Sequence, residues 1–201
     1  MKIENGFVEI DAGSWLLGHG QPAAFSGKAV RRVRKGWIVR DRGALDLVET
    51  SGMAKCADKT RPFLTHIPCA APISALSSKV LVAPSESRTG AQCVKLIPMS
   101  VSKSLCVTEF GSEWVVMATK SRTARVQIAE GETLSVRPEA IVAWSGAKPT
   151  GFCQRLGILD MILPSGPRNL LLTFYGPSIV WLEGAGDENV GMMPRRRAYG
   201  V

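Results

Sequence analysis

Apolar and polar residues alternate with a period of two over much of this chain. In TARVQIAEGETLSV, residues 123–136, Ala124, Val126 and Ile128 fall on one side of an extended backbone. Leu134 and Val136 resume the alternation after Glu130-Gly131-Glu132. That period belongs to half-buried strands, so the segment predicts a β-hairpin. Past Arg137-Pro138-Glu139, where proline removes a donor and sets a turn, AIVAW is short, β-branched and closed by Ser145-Gly146, which predicts another strand. LLLTFY and SIVWLE are strand-length runs on either side of Gly176-Pro177, a break that neither a helix nor a continuous strand accommodates, and it is read as a hairpin turn.

The first half carries the same signs less regularly. FVEI, SWLL, KGWIVRD, KVLVA, QCVKLI and EWVVMA are separated by Gly, Pro and Ser, and strands recurring every 8–15 residues or so have the spacing of a sandwich or barrel. The one helical candidate is GALDLVETSGMAKC, which its glycines and threonine keep short. VEIDAGSWLLGHG (residues 8–20) aligns without gaps to LSVRPEAIVAWSG (residues 134–146), an offset of 126 (134 − 8), which raises the alternatives of an internal duplication and of generic hairpin grammar. The expected organisation is one all-β domain over residues 1–184, with two halves of about 1–110 and 111–184 if duplicated, followed by a flexible basic tail over 185–201. The expected core is Ile10, Trp15, Val116, Val126, Ile128, Val136, Val142, Leu172, Phe174, Val180 and Leu182, with Trp181 either in it or at an oligomer contact.

Composition adds a globular character and a charge sign. The 201 residues are 45% hydrophobic and 21% charged, and 25 basic against 17 acidic side chains give a formal charge of +8. Such a balance favours anionic partners, nucleic acid or acidic lipid. No apolar run approaches the roughly 18 residues of a membrane span, and MKIENGFVEID has neither a signal-peptide pattern nor the acid-poor character of a transit peptide. A cytoplasmic location is expected, or a mitochondrial one for a processed eukaryotic chain. Cys56, Cys69, Cys93, Cys106 and Cys153 form an odd set without Cys-x-x-Cys, read as reduced, mostly buried thiols. The pairs Cys56/Cys69 and Cys93/Cys106 share a spacing of 13, but zinc ligands come as close pairs and only His19 and His66 are available to complete a set.

VRPEAIVAWSG followed by LLLTFYGPSIVWLEG resembles the carboxy-terminal half of the altered inheritance of mitochondria 24 family, in which an apolar strand precedes a Gly-Pro-Gly-x-Val-Trp-Leu turn and strand. Gly176, Pro177, Val180, Trp181 and Leu182 fit that pattern, and Ser178 stands where the second glycine would be, which bears on the turn type. The resemblance, from about residue 122 to 184, implies a β-sandwich of double-stranded β-helix type, similar to the tryptophan RNA-binding attenuation protein fold. It also implies a non-enzymatic assembly or scaffold module acting in a homo-oligomer or larger complex. The family defines no catalytic residues.

Independent chemistry is sparse. GAGDENVG lacks the spacing and the Lys-Ser/Thr of a phosphate loop, and there is no Gly-x-Ser-x-Gly elbow. With two histidines no cupin-type metal site assembles, so no catalytic residue, cofactor, metal or small-molecule substrate is expected. The strongest feature is KAVRRVRKGWIVRDR, in which Lys28, Arg31, Arg32, Arg34, Lys35, Arg40 and Arg42 surround Trp37. Basic side chains beside an aromatic can neutralise phosphates while the ring stacks a base. The competing reading is a solvated edge strand whose charges block aggregation. Arg195, Arg196 and Arg197 form a second basic cluster. RNA binding, or a place in a ribonucleoprotein, is therefore the alternative function.

Overall fold

Runs that alternate in polarity and are bounded by Gly, Pro and Ser find hydrogen-bonded neighbours throughout a computed structural model of the chain. The structure describes residues 1–18, 22–25, 29–32, 45–95, 104–111, 113–153 and 170–184. Strand β1 (Lys2–Glu4) precedes three sets of six. The first set is β2 (Phe7–Ile10), β3 (Gly13–Leu17), β4 (Pro22–Phe25), β5 (Ala29–Arg32), β6 (Asp46–Thr50) and β7 (Ala54–Cys56). The second is β8 (Phe63–Pro68), β9 (Ile73–Leu76), β10 (Val80–Pro84), β11 (Arg88–Lys95), β12 (Ser104–Phe110) and β13 (Trp114–Thr119). The third is β14 (Thr123–Ile128), β15 (Thr133–Val136), β16 (Ile141–Ser145), β17 (Thr150–Cys153), β18 (Leu170–Tyr175) and β19 (Ser178–Glu183). Three-residue 3-10 turns lie at Ser77–Lys79, Ser85–Ser87 and Pro138–Ala140, and no α-helix occurs among the described residues. The chain is all-β, as its alternation predicts.

Each set follows one antiparallel pairing rule. The sixth strand takes the first and third as neighbours: β7 with β2 and β4, β13 with β8 and β10, β19 with β14 and β16. The fifth takes the second and fourth: β6 with β3 and β5, β12 with β9 and β11, β18 with β15 and β17. Sets are joined where the second strand of one meets the third of the next, β3 with β10 and β9 with β16. The sheets that result run β1-β2-β7-β4, β5-β6-β3-β10-β13-β8, β11-β12-β9-β16-β19-β14 and β15-β18-β17.

The repeat is therefore threefold in its pairing, and two halves do not describe it. The alignment of residues 8–20 with 134–146 sets β2–β3 against β15–β16, whereas by position in the sheets β15 is the counterpart of β3 and of β9. That echo is one strand out of step and reflects the shared strand-turn-strand pattern.

Two expected hairpins are corrected for a related reason. β14 and β15 do not pair with each other, nor do β18 and β19: each break carries the chain from one sheet to another. Two facing sheets need such corners, and a local alternation of polarity reads the same whether the next strand lies beside its predecessor or across the core from it. The helical candidate is also strand: β6 buries Val48 and Thr50 at alternate positions, and β3 and β2 supply the ladders for β6 and β7. The run KGWIVRD lies outside the described residues. A true hairpin that the sequence reading passed over is β1–β2, turned at Asn5-Gly6 with φ of 51° and 77°, the positive pair that a type I′ turn needs.

The core divides accordingly. Val8, Ile10, Ala54 and Cys56 of the first set pack with Leu81, Val82 and Val116 of the second. Ile67, Val80, Phe110, Val115 and Met117 form a central cluster with Val142 and Trp181 of the third. Leu134, Trp144, Leu172, Phe174, Val180 and Leu182 close the far side with Leu76 and Val107. All five residues of β10 are buried, because its sheet is covered on both faces. Of the expected core, Trp15, Val126 and Val136 are only half-buried, and the others are buried.

Candidate functional site

Of the basic run, only Arg31 and Arg32 lie within the described residues. They sit on β5, opposite Val48 and Leu47 of β6, and β5 ends its six-stranded sheet among the described strands. That is the edge position the sequence reading offered as one alternative. Lys28, Arg34, Lys35, Trp37, Arg40, Arg42, Arg195, Arg196 and Arg197 lie outside the described residues, as does His19. His66 is exposed on β8, its ring 6.0 Å from that of Trp114.

The residues of the Gly-Pro motif are architectural. A Cβ on Gly176 would come within 1.8 Å of the Ala129 carbonyl oxygen, a backbone atom, so only glycine fits where this corner crosses the end of β14. Its amide donates to the Glu132 carbonyl at 3.1 Å, and the Gly176–Pro177 bond is cis. Ser178 is buried, and Gly146 packs against it. Val180 and Leu182 join the far-side cluster, while Trp181 points to the central one and is 9% exposed. Trp181 is thus a core residue.

A buried charge cluster, which the sequence reading missed, joins the second and third sets. Lys79 ends the 3-10 turn between β9 and β10, and Glu139 lies in the equivalent turn between β15 and β16. Lys79 Nζ donates to the Glu139 carbonyl at 2.7 Å and meets Glu183 Oε2, at the end of β19, at 2.6 Å. The other Glu183 oxygen accepts the Lys120 amide. Next to it, the Arg61 guanidinium donates to the Ser78 carbonyl.

Burial pushes the Lys79 ammonium below the ordinary lysine value, against the pull of Glu183. For Glu183, burial pushes up, but Lys79 and the Lys120 and Ser121 amides outweigh it and leave the carboxyl below its ordinary value. The two shifts pull in opposite senses. Geometry favours the charged pair, since Lys79 and both Glu183 oxygens have partners at hydrogen-bonding distance. A spacing of 104 residues (183 − 79) between one lysine and one glutamate left no local signal to find it.

The cysteines need a correction. Cys56 and Cys69 are free and buried, as read, and burial pushes both thiols up to about 11. Cys106, however, is disulfide-bonded. It stands directly opposite Cys93 in the β11–β12 ladder. The spacing of 13, weighed earlier only as a metal pattern, is what such a hairpin brings face to face. No group of three or more His, Cys, Asp or Glu able to hold a metal ion occurs among the described residues.

Around the β1–β2 hairpin and the start of β7, apolar side chains meet solvent. Met1, Ile3 and Phe7 of the β1–β2 hairpin are 37–42% exposed, and Met53, beside β7, is 48% exposed. No described helix is long and apolar enough to cross a membrane.

No family model matches the chain, and no curated protein does. Its fold is similar to that of a Streptococcus pyogenes protein solved by X-ray crystallography as a structural genomics target. That likeness has a TM-score of 0.67 over 88% of this chain and 87% of the other, at 15% identity, and it is a likeness of all-β, sandwich-like architecture.

Proposed function

We propose that this protein is a non-enzymatic scaffold module of the altered inheritance of mitochondria 24 type, acting within a homo-oligomer or a larger protein complex. The observation that carries the reading is the exposure of Met1, Ile3, Phe7 and Met53 around the β1–β2 hairpin, with Ile3 and Phe7 on its two faces. Large apolar side chains exposed around an outer hairpin are better covered by another protein than left in water. The Lys79–Glu183 pair and the bond from Lys79 to the Glu139 carbonyl support the same reading, because they tie two sets of strands together. The experiment is light scattering on the full chain with identification of co-purifying proteins. A mass that is a multiple of 21.6 kDa, or a stoichiometric partner, both lost on Ile3→Lys with Phe7→Lys, is expected. A bare monomer that captures nothing sinks the proposal.

Arg31 and Arg32 on an edge strand favour a second reading, in which the protein binds RNA through the 28–42 segment and the Arg195–Arg197 cluster. Neutralising phosphates with these side chains makes binding weaken with salt. A gel shift that Arg31→Ala, Arg32→Ala and Arg34→Ala together abolish supports it, and retention that ignores both salt and the substitutions removes it.

A further inference from the structure

The joints between the three sets point to a surface for a second copy of this chain. Twice the second strand of one set pairs antiparallel with the third strand of the next, through Leu17↔Val82, Leu16↔Ala83 and Trp15↔Pro84, then through Ala75↔Ala143, Ser74↔Trp144 and Ile73↔Ser145. The series has two ends. At one, β15 occupies the position of β3 and β9; at the other, β4 occupies the position of β10 and β16. Both strands end their sheets among the described strands, and they belong to different sheets.

We propose that β15 of one chain pairs antiparallel with β4 of a second copy, repeating the internal joint between molecules. Three properties favour this occupant. The two edges are complementary, because each is the type that the other type already meets inside the chain. The joint is a main-chain ladder, which asks little of side-chain identity, and the known pairs are as different as Ala–Ala and Trp–Pro. On the β15 side, Thr133 and Ser135 are exposed and Leu134 is buried, so a strand is ready to be extended there without rearranging the core. A contact between unlike edges is heterologous, and it closes into a ring or grows into a filament according to the rotation per chain.

This joint rests on the homo-oligomer form of the scaffold reading but uses β4, at the opposite end of its sheet from β1, so its test separates the two. By correspondence with Ser74↔Trp144, Ser135 falls opposite Phe25 of β4, so Phe25→Cys and Ser135→Cys are made as separate chains, each with the five native cysteines replaced by serine. Mixing the two under mild oxidation is expected to give a cross-linked pair of unlike chains in at least several-fold excess over either like pair. A chain carrying both substitutions is expected to give cross-linked multimers. Cross-linked monomer from that doubly substituted chain overturns the proposal in favour of closure within one molecule, and so does no cross-link. If the serine background fails to fold, hydrogen exchange on the wild-type chain replaces it. Protection of residues 133–136 that rises several-fold with protein concentration is then expected, and concentration-independent exchange overturns the joint. A wild-type oligomer without the β15–β4 link sinks the joint alone, and a partnerless monomer sinks both readings.

Discussion

Lys79 Nζ lies 2.6 Å from Glu183 Oε2, and the contact bridges corners of the second and third strand sets. Both side chains are largely withdrawn from water, at 11% and 14% exposure. In such a place an ion left without its partner costs more than the pair contributes. Glu183→Gln or Lys79→Met is expected to destabilise by about 3–5 kcal/mol, and the double change Lys79→Met with Glu183→Leu by less than either alone. Denaturant unfolding of the four proteins checks it. Additive losses would mean that the two groups act separately.

The same pair sets an acid limb. The Glu183 carboxyl sits below its ordinary value of 4.5, so its stabilisation is complete above that pH and is lost as the pH falls through the lower, folded-state value. As the pH falls below 4.5, wild-type stability is expected to drop more steeply than that of Glu183→Gln. Parallel pH profiles from thermal melts would assign the acid limb to other carboxylates.

Leu172 and Phe174 are 2% and 1% exposed, with the Phe174 ring set edge-on to Trp144 at 5.8 Å. Leu172→Ala is expected to cost about 2–5 kcal/mol through the cavity left behind. A loss below about 0.5 kcal/mol would place the side chain at the surface.

Gly176→Ala sets a Cβ against the Ala129 backbone, which cannot yield as a flexible side chain would. A loss of about 2–4 kcal/mol is expected, while Gly131→Ala, strained only through its φ of 77° and with open space around its Cβ, is expected to cost about 1–2 kcal/mol. Paired chemical melts of the two variants test the ranking.

Cys56 and Cys69 are buried thiols held at about 11. In the native protein at pH 8, alkylation of both is expected to be slow, and to become fast once denaturant exposes them. Peptide mass mapping after timed iodoacetamide treatment reads this directly. Native-state labelling as fast as that of the unfolded chain would contradict the burial.

Strand identity was legible because polarity alternates wherever a strand has one face in the core, as in Ala124, Val126 and Ile128. Partnership was not. Nothing in LLLTFYGPSIVWLE distinguishes a turn that lays two strands side by side from one that sends the second across the core, since both need the same Gly-Pro break. The strand in GALDLVETSGMAKC was hidden because its neighbours, β3, β5, β2 and β4, lie 15 to 48 residues away along the chain (Arg32↔Leu47, 47 − 32; Val8↔Cys56, 56 − 8). The Asn5-Gly6 turn was legible and passed over, and the Cys93/Cys106 spacing became informative only with a hairpin around it. The buried Lys79 looked like any other lysine. What encloses it is two 3-10 corners whose equivalence appears only in three dimensions.

In every set the strand made last sits between two made earlier: β7 between β2 and β4, β13 between β10 and β8, β19 between β16 and β14. During synthesis on a ribosome, each portion of the molecule must therefore wait with an unfilled slot until its sixth strand emerges. A nascent polypeptide stalled just before Ser178 would hold that slot open in its third portion, offering chaperones a ladder with the middle rung absent.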